Sequence, residues 1–316
     1  MHPVLLKGQS LTIERPQRLP GMLVAAAAAL LSLGLATALA VKGSSWPISF
    51  PQFLAYTGAG LLAVLALVFG FWTYACASLR YRLDRSGLTI NWGPLKHFVP
   101  LDRIKGLVQG RGEHRPRSRG LNWWGHHIGR GRAEGLGEVL FFSTHRSPED
   151  LVYVRTADAT YALSPHNPLR FMAEAERLQQ TPRIGREPGQ AGARPGAVQR
   201  SFLAAHPIWA DRVAQWLTAA GVLLNLSLWG YLFAVYPGLS REIAIQFPPI
   251  GEITELHSRR EIFKIPGTAT ALLAANLVAG LGFEWRERAA TYLLLSGAVF
   301  LQVIFWIGAV IAVLNA

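Results

Sequence analysis

The 316-residue chain is 51% hydrophobic and only 16% charged, with a formal net charge of +12 and a mean hydropathy of +0.24. This balance excludes a pair of ordinary water-soluble domains and is typical of a membrane protein. The single cysteine, Cys76, excludes a disulfide framework within one chain and any metal site built from cysteines.

The positive charge is concentrated in the middle of the chain. Residues 79–200 contain 20 Lys and Arg against 11 Asp and Glu, so most of the net charge lies there. Beside a membrane, such an excess is typical of a cytoplasmic segment held near anionic headgroups. A solvated basic surface that only obeys the topology rule would show the same excess, so both interpretations stay open.

A polar lead-in, residues 1–20, precedes the first apolar run, Met22 to Val41. At about 1.5 Å per residue this run can cross a hydrocarbon core about 30 Å thick. The tripeptide at 38–40 resembles a signal cleavage site. The run is longer than a signal core of about 7–15 residues, however, which favours an uncleaved helix.

A second apolar run, Phe53 to Ser78, follows a short connection. Arginines come directly after it, at positions 80, 82 and 85. Positive charge at the end of a span marks the cytoplasmic side. The sequence therefore predicts that the N-terminus and the segment after residue 78 both lie in the cytoplasm.

The central segment, residues 79–180, is predicted to form an antiparallel β domain closed by one helix. Alternating apolar and polar residues between turn signals predict strands at 79–84, 88–92, 95–99, 105–109, 139–143, 151–155 and 160–164. Asn167 and Pro168 are favoured as the cap and first residue of the helix. Residues 110–137 are predicted to be a long loop, and residues 181–207 a flexible linker rich in Pro and Gly.

The last part of the chain, residues 208–316, is predicted to contain three more spans. They run over Val213 to Val235, Gly267 to Phe283 and Ala289 to Leu314, with an extracytoplasmic segment at about 238–266. Asn225, Asn276 and Gln302 fall near the middle of these spans, where interhelical hydrogen bonds are the ordinary role of amides. No ionisable residue lies at midspan, which disfavours a transporter or proton pump.

Four sequence stretches resemble the bacterial pleckstrin-homology-like (PH-like) domains of uncharacterised membrane proteins. They are YRLDRSGLTINWG (81–93), VPLDRIKGL (99–107), GHHIGRGRAEGLGEVLFFST (125–144) and LVYVRTADATYALSPHNPLRFM (151–172). The resemblance covers about a third of the chain. It implies an open seven-stranded barrel capped by a C-terminal helix, and it implies little chemistry.

The Gly- and Arg-rich loop is the strongest candidate for a binding site. Guanidinium groups pair with phosphate, and tryptophan rings insert at membrane interfaces. The candidate residues are Arg111, Arg115, Arg117, Arg119, Trp123, Trp124, Arg130 and Arg132. Contact with anionic lipid, contact with a protein or peptide, and plain packing of the tryptophans on the domain all remain open.

Other chemistry is disfavoured. Adjacent strand residues point to opposite faces, so His126 and His127 are poorly placed to share a metal ion. Arginine beside aromatic residues also suits nucleic acid, but spans on either side of the domain argue against that partner. The acidic and histidine residues at 252, 255, 257 and 261 are typical of a solvated surface, and no catalytic motif is present.

The sequence therefore predicts a multi-pass protein of the inner (plasma) membrane with about five helices and an inserted cytoplasmic PH-like domain, and with an extracytoplasmic C-terminus. We expect no enzyme activity, cofactor, metal or small-molecule substrate, and no nucleic-acid partner. The expected role is a scaffold that docks a protein partner or anionic lipid. The alternative is a structural subunit of a larger membrane complex, and a more remote one is a membrane enzyme that uses the extracytoplasmic residues.

Overall fold

The computed structural model describes residues 12–110, 117–123, 126–133, 135–144, 147–157, 159–180, 198–199, 207–209, 211–243, 257–284 and 286–316. The chain divides into two compact units. One consists of residues 1–32 and 65–204, and the other of residues 33–64 and 205–316.

The described residues form five long apolar helices and one shorter amphipathic helix. The helices are α1 (Leu19–Ser44), α2 (Phe50–Ser78), α3 (Pro168–Gln180), α4 (Arg212–Val235), α5 (Lys264–Phe283) and α6 (Arg288–Leu314). All except α3 are long and apolar enough to cross a membrane. The prediction of five apolar helices is confirmed. The fourth is longer than predicted, because a 3-10 turn at Arg259–Phe263 leads directly into α5.

The described strands are β1 (Thr12–Glu14), β2 (Arg80–Leu83), β3 (Gly87–Trp92), β4 (Leu95–Pro100), β5 (Ile104–Gln109), β6 (Arg117–Trp123), β7 (His126–Ala133), β8 (Gly137–Ser143), β9 (Val152–Thr156), β10 (Thr160–Leu163), β11 (Val198–Gln199), β12 (Glu242–Ile243) and β13 (His257–Ser258). The prediction of a loop at 110–137 is wrong for β6 and β7. The Gly and Arg content hid two paired strands, because neither residue type gives an apolar alternation.

The first sheet has the order β1-β2-β3-β4-β11, and every pair in it is antiparallel. Both of its outer strands come from outside the central segment. Strand β1 precedes α1, with Ile13 opposite Arg82. Strand β11 lies in the predicted linker, with Val198 opposite His97.

The second sheet has the order β5-β9-β10-β8-β7-β6. Only β8 and β10 are parallel. The predicted seven-stranded barrel is not confirmed, because the described residues form two open sheets. At the edges, β11 pairs with the side of β4 that faces away from β3, and β5 pairs with β9 on one side; among the described residues β4 and β5 do not pair, so the sheets are not joined there.

One hydrophobic core joins the two sheets, α3 and the end of α2. The first sheet contributes Tyr81 and Ile90, and the second contributes Phe142 and Val154. Helix α3 adds its buried stripe of Phe171, Ala175 and Leu178, and α2 adds Ala75. The amphipathic spacing of α3 explains its position, because apolar residues three and four apart share one face of a helix.

The turn between β3 and β4 packs on the last turns of α2. Gly93 has φ of +51°, a backbone conformation that glycine adopts without strain, and its N–H donates to the hydroxyl of Ser78 at 2.6 Å. The rings of Phe71 and Trp92 meet edge to face, with centroids 6.3 Å apart. Since β2 begins at Arg80, only Leu79 separates it from α2.

The second unit contains α4, α5 and α6 together with the turn between α1 and α2. The side-chain amide of Gln52 donates to the carbonyls of Gly43 and Trp46 and so closes that turn. Phe53 lies against Gly230 of α4, where a Cβ would approach its ring to 3.0 Å. The buried core of this unit includes Leu228, Leu232 and Ala269.

Candidate functional site

The predicted binding residues lie on or around the hairpin β6–β7. Arg130 and Arg132 are in β7 and are exposed. Positions 117, 119 and 123 are in β6, for which the backbone is described. Arg111, Arg115 and Trp124 lie outside the described residues.

The register of the hairpin brings four arginine positions together. Arg117 is opposite Arg132, and Arg119 is opposite Arg130. Residues directly opposite in an antiparallel pair share a face of the sheet, with Cβ atoms about 4.5–5.5 Å apart. Positions two apart along a strand are about 6.7 Å apart. These four positions therefore form a two-by-two array on one face, which we call the arginine face.

Like charges placed directly opposite each other destabilise a sheet. The next strand supplies little compensation: Glu138 is opposite Arg132, whereas Leu140 is opposite Arg130. Among the described residues, no ion-pair partner is found for Arg130 or Arg132. The array is chemically suited to an anion, because guanidinium groups form bidentate hydrogen bonds with carboxylate or phosphate.

The arginine face is an extension of the hydrophobic core. Ile128 of β7 and Phe142 of β8 are opposite each other and are both buried. Moving along β7, the same face passes from buried Ile128 to exposed Arg130 and Arg132. The ring of His97, from the first sheet, lies 4.7 Å from that of Phe142. The arginine positions therefore sit at the rim of a packed core.

A buried group of hydroxyls fixes β2 against the second sheet. The hydroxyl of Tyr81 donates to the carbonyl of Phe142 at 2.5 Å and accepts from the N–H of Ser164 at 3.2 Å. The hydroxyl of Ser164 in turn accepts from the N–H of Thr144 at 2.8 Å. Burial raises the pKa of Tyr81 to about 12, so the phenol stays neutral and able to donate.

The comparison with protein families agrees with this geometry. Residues 79–179 match a family model described as Bacterial PH domain. Residues 79–179 are thus similar to bacterial PH domains, and we call residues 79–180 the PH-like domain. The match begins directly after α2 and ends one residue before the end of α3, and it confirms the resemblance inferred from sequence. No curated protein and no solved structure matches the chain.

Outside the PH-like domain, two of the three predicted midspan amides meet. The amide of Asn225 on α4 donates to the side-chain oxygen of Gln302 on α6 at 3.1 Å. Gln302 donates to the carbonyl of Ala269 on α5 at 2.9 Å, so the pair links three helices. Asn276 instead donates to the carbonyl of Leu272, one turn back on its own helix. The structure thus places Asn276 outside the interhelical network.

Sequence reasoning did not single out a polar cluster where α4 begins and α5 ends. Asp211 caps α4 by accepting from the N–H of Ala214 at 3.0 Å, and it accepts from the hydroxyl of Tyr292 at 2.6 Å. The hydrogen bond from Tyr292 and the one from Ala214 lower the pKa of Asp211, and nearby Arg288 adds to the effect. Glu284 is buried, and within the part of the chain that the structure describes neither of its carboxylate oxygens has a hydrogen-bond partner. Aspartate is a favoured N-cap residue, so its position directly before an apolar run could have identified the cap from the sequence.

The structure describes some of the histidine and acidic residues that were considered for metal binding or catalysis. Among the described residues, no group of three or more His, Cys, Asp or Glu side chains could hold a metal ion. The predicted extracytoplasmic residues Glu252 and Glu255 lie outside the described residues. Glu261 forms an ion pair with Lys264 at 3.0 Å, one turn along the chain.

Proposed function

We propose that this protein is a membrane-anchored, non-catalytic interaction module. Its PH-like domain docks an acidic partner, either a protein or anionic lipid, through the arginine face. The observation that supports this most is the two-by-two arginine array on a domain that continues directly from an apolar helix. Arg130 and Arg132 have no ion-pair partner among the described residues, and this favours an external anion.

The PH-like domain packs against the end of α2. Its core includes Ala75 of that helix, and the lead-in approaches the same end, because the guanidinium of Arg18 donates to the carbonyl of Ala77. Strand β1 pairs with β2 beside this contact. If α2 crosses the membrane, the PH-like domain and the lead-in lie together at one membrane surface.

We assign that surface to the cytoplasmic side of the plasma membrane. Basic residues at the ends of spans favour the cytoplasm, and Arg80, Arg82 and Arg85 come directly after α2. Five spans then leave the C-terminus on the opposite side. An anionic inner leaflet would attract the basic domain, at roughly 1 kcal/mol for each basic residue near the surface.

The alternative of a structural subunit loses one of its supports. That alternative would use the spans, with Asn225, Asn276 and Gln302, as the interface, but Asn225 and Gln302 bond to each other and to α5 within this chain. A satisfied internal network gives these helices their own packing specificity. The docking function therefore remains the better supported of the two.

Photo-crosslinking of the full chain in native membranes tests the proposal. A photoreactive phenylalanine analogue at Glu138 stands on the arginine face, opposite Arg132. The matched control is Arg155, exposed on the other face of the same sheet. We expect a lipid or protein adduct from position 138 that is absent from position 155. Replacing Arg130 and Arg132 with Gln should remove it. Equal adducts from both positions, or an adduct indifferent to the two arginines, would contradict docking through this face.

A further inference from the structure

Strand β6 forms an edge of the second sheet. It spans seven residues and pairs with β7 on one side. Within the described residues, no strand pairs with its other side. The backbone N–H and C=O groups of such an edge can hydrogen-bond to an added strand.

In the first sheet, both edge strands of the PH-like domain are paired with strands from outside the domain. Strand β1 covers β2, and β11 covers β4, although both strands come from outside residues 79–180. On β5, the opposite edge of the second sheet, the amide of Gln179 from α3 donates to the carbonyl of Ile104 at 3.0 Å. Segments from outside the domain thus already extend it by strand addition.

The cross-strand rows specify what a strand added to β6 should contain. One row runs Glu138, Arg132, Arg117, and the next runs Leu140, Arg130, Arg119. A third row, Phe142, Ile128, Leu121, is apolar. An added strand continues each row about 4.8 Å beyond β6. Favourable cross-strand pairs then require acidic residues opposite positions 117 and 119, and an apolar residue opposite position 121.

We propose that β6 binds, by strand addition, an extended acidic segment of a partner protein. In the antiparallel sense that β6 keeps with β7, the segment reads apolar-x-acidic-x-acidic. The proposal rests on the docking function above and names its partner. A lipid headgroup would use the arginines alone, whereas a strand also uses the apolar row and the backbone edge of β6 that no described strand occupies.

The test uses the full chain in nanodiscs of zwitterionic lipid and a fluorescein-labelled peptide, Thr-Val-Thr-Glu-Thr-Glu-Thr. Anisotropy reports binding. Two further peptides carry N-methyl groups, one on the Val and Glu residues and the other on the inner Thr residues. In a strand, alternate N–H groups face opposite sides, so only one of the two methylated peptides loses its bonds to β6. A peptide with Lys in place of Glu tests the charge.

We expect the parent peptide to bind and the Lys peptide to bind at least about tenfold more weakly. One methylated peptide should lose at least about tenfold in affinity, and the other should bind like the parent. R130Q/R132Q should weaken binding. R155Q/R170Q, which removes two exposed arginines elsewhere, should not.

Three results would overturn strand addition. Equal affinity of both methylated peptides would mean attraction by charge alone, and no peptide binding would exclude the acidic strand. A dimer by native mass spectrometry that the peptide does not dissociate would mean that β6 pairs with a second copy. If the adducts from position 138 persist in any of these cases, the docking function stands without this partner. If they too are absent, both proposals fail.

Discussion

At the scale of single residues, Tyr81 is the position where one side chain connects most of the PH-like domain. Its hydroxyl joins β2 to the carbonyl of Phe142 in β8 and to the residue that follows β10, Ser164. The side chain is fully buried, so no water can replace these bonds if they are lost. The network therefore fixes the two sheets in one arrangement.

We predict that Tyr81→Phe destabilises the PH-like domain by about 1–3 kcal/mol, because a buried carbonyl and a buried N–H lose their partner. Urea-dependent pulse proteolysis of the full chain in detergent, read within residues 79–180, measures this. Tyr74→Phe is the matched control, since Tyr74 is exposed on α2. Equal stability of both variants would show that the hydroxyl bonds contribute nothing net.

The same tyrosine predicts an alkaline limit to stability. Burial raises the pKa values of Tyr81 and Tyr153 from 10.0 to about 12. The contribution of a group whose pKa is raised on folding is complete below pH 10 and is lost as the pH rises towards 12. We expect the domain to lose stability across this window, and Tyr81→Phe to lose less than the parent. An identical slope for both proteins between pH 10 and 12 would contradict the assignment to Tyr81.

Residue type alone predicted some of the polar contacts between the helices correctly and others wrongly. Amides at midspan indicated hydrogen bonds, and Asn225 and Gln302 do form one. Asn276 has the same residue type and a similar depth but bonds within α5. The difference is rotational position around the helix, which a single sequence specifies poorly when all sides of α5 are apolar.

At the scale of elements, local signals predicted what local forces decide. The cap of α3 was readable because Asn167 and Pro168 act on their own neighbours. The side chain of Asn167 accepts from the N–H of Arg170 at 3.0 Å. Strand β1 was not readable, because its three residues gain their structure only from β2, far along the chain.

The hairpin β6–β7 was missed for a different reason. Its strands alternate arginine with small residues rather than apolar with polar residues, so hydrophobic periodicity does not detect them. The period of two was nonetheless present, with Arg117, Arg119 and Leu121 on one face. The candidate residues were thus identified by composition, whereas their array could be seen only from the register.

We predict that Asn167→Ala destabilises the domain by about 0.5–2 kcal/mol, through loss of the cap that orients α3 over the core. Asn167→Ser should retain most of the stability, since serine also caps helices. The same pulse-proteolysis assay applies. A serine variant as unstable as the alanine variant would mean that Asn167 acts by something other than capping.

At the scale of the whole molecule, the number of apolar helices followed directly from hydropathy, because each apolar run is long and continuous. The sheet topology did not follow, since β8 pairs in parallel with β10 and two outer strands come from distant segments. Pairing between strands that are far apart in the sequence cannot be recognised from the local pattern of apolar and polar residues.

Sidedness is the prediction that belongs to this scale. In a Cys76→Ala background, Ala173→Cys places a thiol on the exposed surface of α3, and Ser240→Cys places one beyond α4. With a membrane-impermeant maleimide, we expect position 240 to react in intact cells and position 173 only after permeabilisation. The reverse pattern would place the PH-like domain outside the cell. Labelling of both positions in intact cells would contradict five spans.

The pairing of β1 with β2 has a consequence for biosynthesis. Strand β1 is made before α1, but Arg82, which lies opposite Ile13, is made only after α2. If α1 and α2 span the membrane, as we propose, the lead-in has to stay on the side of the membrane where it began until both helices have been inserted. If the pair were inserted with only one helix crossing, the lead-in and β2 would emerge on opposite sides, and the sheet would keep a bare edge. Under this proposal, the first sheet can be completed only after both helices have entered the bilayer.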